Sequence, residues 1–340
     1  MGRRINMFYK GYTMDIKSVG FYYVGGLKLS LVSFFQFIEI KTKLASVLPF
    51  ILGSLYSVYR YKSFNFKNFI IMCISLLAFD MATTAINNYI DYKKALKSHE
   101  TKNQIPKYGF AESTALVIIF ILLSIAIFFG IALTLYTNVI VLVIGIISFL
   151  AGILYTYGPI PISRTPLGEV FSGVFMGFLI LFLSIYIHIF DKNIVSLMYA
   201  NNMLNINVNL VEVFYIFLIS IPTICGIANI MLANNICDVE DDVVNNRYTL
   251  PHYLGAKNAL KLFKSLYYIG YIDILILVIL KISPIISLLI ILTIIPVNKN
   301  IKLFYQKPIK SETFVYSVKN FALISIVHIL SVSITLIFNW

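Results

Sequence analysis

Apolar residues in this chain cluster in runs of about 20. A run of that length, coiled as an α-helix rising 1.5 Å per residue, crosses a hydrocarbon core of about 30 Å. Nine such runs are read, near residues 44–60, 69–90, 114–135, 137–157, 166–190, 211–233, 259–280, 282–296 and 318–339. The first opens on lysines and the eighth is short. The pattern predicts an all-α fold, a polytopic transmembrane helical bundle of about nine spans. Residues 1–43 read as an N-terminal cytoplasmic or interfacial segment and 44–340 as a single membrane domain. The polar stretches between runs are too short to fold as separate soluble domains. The opening Met1-Gly2-Arg3-Arg4, followed by mixed polar sequence, does not read as a cleavable signal peptide.

Composition strengthens this reading. Of 340 residues, 59% are hydrophobic and 12% charged, against roughly a quarter charged in ordinary soluble domains. The net charge of +12 gains meaning from its distribution, because cytoplasmic loops of membrane proteins collect Lys and Arg. With nine spans and the N-terminus inside, the outer loops hold only Arg60, Lys62, Lys67, Lys192 and Lys281 of the 27 basic residues. The asymmetry predicts that the N-terminus and the motif loops face the cytoplasm. It also explains the positive charge without a nucleic-acid partner. The three cysteines, Cys73, Cys225 and Cys237, form no CxxC or Cys/His grouping, so neither a disulfide framework nor a zinc site is expected. The four histidines show no metal-ligand spacing.

The candidate chemistry lies at two span ends. Asn87-Asn88-Tyr89-Ile90-Asp91 and Asn234-Asn235-Ile236-Cys237-Asp238 share the pattern N-N-x-x-D, 147 residues apart, which suggests a pseudo-repeat of about four helices. The second copy runs on into Glu240, Asp241 and Asp242. If the helix continues there, Asn234, Asp238 and Asp242 share one face. Hard oxygen ligands so arranged suit Mg²⁺, which binds through one or two carboxylates together with phosphate oxygens and retained waters. Arg247 follows, a donor suited to a metal-held phosphate. Behind the first copy, Asp80, Thr84, Asn87 and Asp91 draw a polar stripe, and Asp80 requires a cavity or a partner at membrane depth. A helix-packing hydrogen bond and a substrate role suit Asp80 equally.

These motifs resemble the aspartate-rich pair of the UbiA superfamily of intramembrane prenyltransferases, here Asn87/Asp91 and Asp238/Asp242. The run from Asn234 to Leu250, and Tyr155-Thr156-Tyr157-Gly158-Pro159-Ile160-Pro161 continuing to Leu167-Gly168-Glu169, resemble the branch that prenylates 1,4-dihydroxy-2-naphthoate in menaquinone synthesis. The resemblance spans about residues 40–335. It implies a UbiA-type bundle with a central cavity in the inner membrane, and Mg²⁺-dependent transfer of a polyprenyl group from a prenyl diphosphate to an aromatic acceptor. It implies metal contacts from Asn87, Asp91, Asn234, Asp238 and Asp242, with Asp91, Asp238 and Asp242 essential to catalysis. Substrate contacts would come from Lys43, Lys94, Lys102, Tyr155, Arg164 and Arg247. One departure stands out: where the family carries another Asp after the first motif, this chain has Ala95 and Ser98, and the nearest acid, Glu100, would complete the metal site from a shifted loop. Three alternatives stay open on sequence grounds. They are a different acceptor such as 4-hydroxybenzoate or an isoprenoid ether, a transporter using Asp80, and a prenyl-lipid binder without turnover.

Overall fold

A span in lipid must satisfy its backbone polar groups within itself, and the apolar runs accordingly fold as helices. The structure is a computed structural model and describes residues 21–24, 27–98, 110–158, 161–200 and 202–338. A hairpin of β1 (Phe21–Val24) and β2 (Leu27–Ser30) leads into α1 (Leu31–Phe37) and a 3₁₀ turn (Ile40–Lys43). Then come α2 (Leu44–Tyr61), α3 (Phe66–Ser98), α4 (Glu112–Tyr136) and α5 (Val139–Thr156). A composite helix follows, made of α6 (Gly168–Ser172), a π-helical stretch (Gly173–Leu179) and α7 (Ile180–Ile189). After the hairpin of β3 (Val195–Ala200) and β4 (Met203–Val208) come α8 (Leu210–Cys237), α9 (Val239–Val244) and α10 (Leu250–Ile279). A 3₁₀ stretch (Ile285–Thr293) feeds α11 (Ile294–Gln306), and α12 (Val315–Phe338) closes the bundle. The two short hairpins were not expected from the run pattern.

Among the described residues, eight helices are long and apolar enough to cross a membrane, against about nine expected. The expected first span, 44–60, does fold as α2 but is not among those eight. The reason is its place in the bundle. α2 packs against α7 and α12 and buries Ser46, Ser54 and Ser57, so its polar positions meet protein rather than lipid. The eighth expected span, short in sequence, is lengthened because its 3₁₀ stretch runs straight into α11, giving Ile285–Gln306.

Small residues allow the closest helix contacts, which is how helices associate when lipid is as apolar as the side chains. A Cβ at Gly177 would lie 2.6 Å from the Ile224 Cα, so the π-helical stretch and α8 meet backbone to backbone. The Thr223 hydroxyl donates to the Gly177 carbonyl at 3.0 Å across the same contact. The main core joins α2, α7, α8, α10, α11 and α12 through side chains such as Tyr56, Tyr186, Phe263 and Phe304. A second core lies between α1, α3 and α4, where Phe37, Ile38 and Ala82 are fully buried. One end of the bundle gathers Lys192, which donates to the Tyr61 carbonyl, and the bidentate Arg60–Glu212 pair. The opposite end gathers both N-N-x-x-D motifs.

Candidate active site

The helix carrying the second motif does not continue unbroken. α8 stops at Cys237, and Asp238 takes φ −106°, ψ 7° before α9 begins. The turn still keeps helical bonding, since Asp238 N donates to Asn234 O at 3.1 Å and Asp242 N to Asp238 O at 2.7 Å. Asp238 and Asp242 therefore stay one turn apart although the helix is broken between them. The chain then folds back, with Arg247 N donating to Asp242 O at 2.8 Å. This puts Arg247 Nε 3.4 Å from Asp242 Oδ1, an ion pair without the angle of a hydrogen bond. Thr249 precedes α10, where its hydroxyl could cap the helix. It instead donates to Asp242 Oδ2 at 3.4 Å. Burial raises the Asp242 carboxyl above the ordinary aspartate value, with the Arg247 charge opposing. Asp238 forms an ion pair with Lys310, from the loop between α11 and α12.

The Tyr-Gly-Pro segment folds against this turn. Arg164 ends a 3₁₀ turn (Ile162–Arg164), and its carbonyl accepts from Tyr248 N at 3.1 Å. Glu169, buried on α6, accepts from Asn235 Nδ2 at 2.8 Å. Its Oε2, like Asn235 Oδ1, has no hydrogen-bond partner among the described residues. The Tyr155 hydroxyl donates to Met231 Sδ and accepts from Ser172 Oγ, both at 3.2 Å. Two segments of separate sequence thus form one polar floor with Asp238 and Asp242 at its edge.

The first motif is arranged differently. Asn87 and Asp91 are exposed on α3 and make no hydrogen bond or ion pair among the described residues. α3 runs a further turn and more to Ser98, so this motif lies within a helix rather than at its end. Asn88 Nδ2 donates to the Phe37 carbonyl at 2.9 Å, tying α3 to α1. Glu112 of α4 accepts from Tyr89 at 2.7 Å and pairs with Lys93. The Lys94 side chain, Glu100 and Lys102 lie outside the described residues.

Asp80 has the partner its depth requires. Lys43, 4% exposed, donates to Asp80 Oδ1 at 2.6 Å, to the Asp80 carbonyl at 3.0 Å and to Thr84 Oγ1 at 2.7 Å. Ser46 donates to Asp80 Oδ2 at 2.5 Å. All three Lys43 N–H groups are thereby engaged inside the protein, tying the start of α2 to α3.

Among the described residues, no three His, Cys, Asp or Glu side chains converge as a ready metal cage. The donor chemistry fits Mg²⁺ nevertheless, because that ion commonly takes one or two carboxylates and fills its sphere with phosphate and water oxygens. Both carboxylates of the turn are already matched to cationic side chains, Lys310 and Arg247. Sequence reading missed Lys310, Asn235 and Thr249 as parts of this site. Asn235 was visible inside the repeated N-N-x-x-D pattern, whereas no local signal ties Lys310 to Asp238.

Residues 46–325 match the UbiA prenyltransferase family. The chain is 31% identical over 234 residues to the 1,4-dihydroxy-2-naphthoate octaprenyltransferase of Bacillus subtilis, covering 68% of each chain. Its fold resembles a UbiA homologue from Aeropyrum pernix K1, with a TM-score of 0.62 at 19% identity over 86% of this chain and 98% of that one. It also resembles a UbiA homologue from Archaeoglobus fulgidus bound to DMAPP and Mg²⁺, with a TM-score of 0.55 at 13% identity over 88% and 98%.

Proposed function

Given that the chain belongs to the UbiA prenyltransferase family, we propose that this multi-pass membrane enzyme transfers a polyprenyl group from its diphosphate to 1,4-dihydroxy-2-naphthoate, with Mg²⁺. The observation that carries the choice of acceptor is the packing of the Tyr155–Glu169 segment onto the second motif, through Arg164–Tyr248 and Glu169–Asn235. Those are the two stretches whose sequence leans toward the naphthoate branch. A relative 31% identical over 234 residues is a 1,4-dihydroxy-2-naphthoate octaprenyltransferase.

In this reading Asp238 and Asp242 hold the metal, with Asn234 and, from α3, Asn87 and Asp91 completing the polar rim. When bound, Mg²⁺ stabilises the negative charge that grows on the departing diphosphate. Arg247 and Lys310 would neutralise the same charge from the protein side, and the backbone bond between Arg164 and Tyr248 supports a like role for Arg164. The backbone of Arg247 is fixed by its bond to the Asp242 carbonyl, and its guanidinium is paired with the Asp242 carboxylate. In this reading Tyr155, half-buried beside Met231 and Ser172, would offer its ring to an allylic cation, an attraction of roughly 0.5–2 kcal/mol per ring. The excess of basic residues at the motif end supports a cytoplasmic-membrane location with both motifs facing the cytoplasm.

The test is prenyl transfer in membranes expressing the chain, with 1,4-dihydroxy-2-naphthoate and 4-hydroxybenzoate as competing acceptors, with and without Mg²⁺. Metal-dependent product on the naphthoate that vanishes in Asp238→Ala supports the reading. Product only on the benzoate would overturn the acceptor.

A further inference from the structure

The exposed face of α10 changes character along its length. Lys261, Lys264 and Ser265 are followed at helical spacing by Ile269, Ile272, Ile276 and Ile279, all exposed. Beside the upper part of this stripe lies an open groove of about 460 Å³, lined by Lys261, Lys264, Ser265, Ile269 and Ile272 with Tyr268 and Tyr305. Its walls are fixed before any ligand arrives. Tyr305 of α11 donates to the Leu260 carbonyl at 2.5 Å, and Tyr268 donates to Asn298 Oδ1 of α11 at 2.9 Å.

Three observations bear on what fills it. Neither lysine has an ion-pair partner among the described residues; Lys264 lies over the Tyr268 ring at 5.5 Å. Protein counter-charge is scarce in this part of the chain, because between Val243 and Ser311 the sequence has nine Lys and Arg and one acid, Asp273. That acid is buried in the bundle rather than facing the groove. Finally, Ile272 lies eleven residues beyond Lys261, roughly 16 Å along the helix axis at 1.5 Å per residue. That matches about half of a hydrocarbon core some 30 Å thick, the length of one leaflet's acyl chains. The positive-inside tendency accounts for lysines at this end of α10, just after its break at Gly255, whereas their side-by-side place on the groove wall above an apolar stripe comes from the fold.

We propose that the groove between α10 and α11 is a binding site for an anionic phospholipid of the cytoplasmic leaflet. Its phosphate meets Lys261 and Lys264, and one acyl chain follows Ile269 and Ile272. Basic pockets between helices on the cytoplasmic side are suited to such headgroups. The site lies on the lipid-facing flank of α10 and is composed of residues other than the catalytic ones.

The test is native mass spectrometry of the purified full chain, released from micelles doped with dioleoylphosphatidylglycerol or dioleoylphosphatidylcholine. Wild-type protein is expected to retain the phosphatidylglycerol and not the phosphatidylcholine. Lys261→Gln/Lys264→Gln should lose that adduct several-fold, while Lys67→Gln, at the opposite end of the bundle, keeps it. Both lysines are exposed, so the double variant should unfold at the wild-type temperature in plain detergent. Equal retention of the two lipids, or an undiminished adduct in the double variant, would overturn the proposal. Displacement of the adduct by geranyl diphosphate in an Asp238→Asn background would reassign the groove to the prenyl substrate and overturn it too.

Discussion

The Lys43–Asp80 pair offers the sharpest test of how this bundle is held together. Both side chains are nearly inaccessible, at 5% and 11% exposure. In Asp80→Asn the Lys43 ammonium keeps the Thr84 hydroxyl and the residue 80 carbonyl but has no counter-charge. In Lys43→Met the Asp80 carboxylate is left with Ser46 alone. Removing one partner of a buried pair costs about 3–5 kcal/mol, whereas removing both charges is often close to neutral. Each single variant is therefore expected to lose stability in that range, and Lys43→Met/Asp80→Asn to recover most of it. The assay is unfolding in mixed micelles titrated with SDS, followed by circular dichroism, with prenyl transfer measured on the same samples. Single variants that each lose less than about 1 kcal/mol, the worth of an exposed pair, would refute the reasoning. A double variant restored in stability but dead in transfer would give Lys43 a second role, on the diphosphate.

Other perturbations test separate contacts. Gly177→Val should disrupt the approach of the π-helical stretch to α8, since even a Cβ would lie 2.6 Å from backbone; the expected readout is loss of the monodisperse folded fraction in detergent. Glu169→Ala leaves the buried Asn235 amide without its acceptor, a cost of about 1–3 kcal/mol, measurable in the same SDS titration, while Glu169→Gln should cost less. Lys310→Met removes a positive charge from Asp238, so the Mg²⁺ concentration for half-maximal transfer should fall; an unchanged value would mean that the ion pair does not compete with the metal. Chelation should remove a Mg²⁺-dependent rise in melting temperature from wild-type protein, and Asp242→Asn should show little rise to remove.

The two ends of the chain's chemistry differ in how readable they were. Apolar runs announced the helices because a bilayer leaves a 20-residue apolar segment few other structures to adopt. α2 is the least clear-cut of these runs, because a helix packed against α7 and α12 can carry buried serines where a lipid-facing one would carry apolar residues. Asp80 illustrates the same limit: its need for a partner followed from its depth, but its choice of Lys43, 37 residues away, depended on how α2 lies against α3.

By itself, then, the sequence determined the helical membrane architecture, the charge asymmetry across it and the acidic turn after Asn234. These follow from local composition and from motifs contiguous in the chain. Only the tertiary structure decided that Lys310 reaches Asp238, that Glu169 meets Asn235, that Arg164 is tethered beside Arg247, and that lysines on α10 border a groove closed by Tyr305. Such contacts join segments far apart in sequence. They are set by which helices become neighbours, and that depends on the packing of small residues and buried rings across the whole bundle.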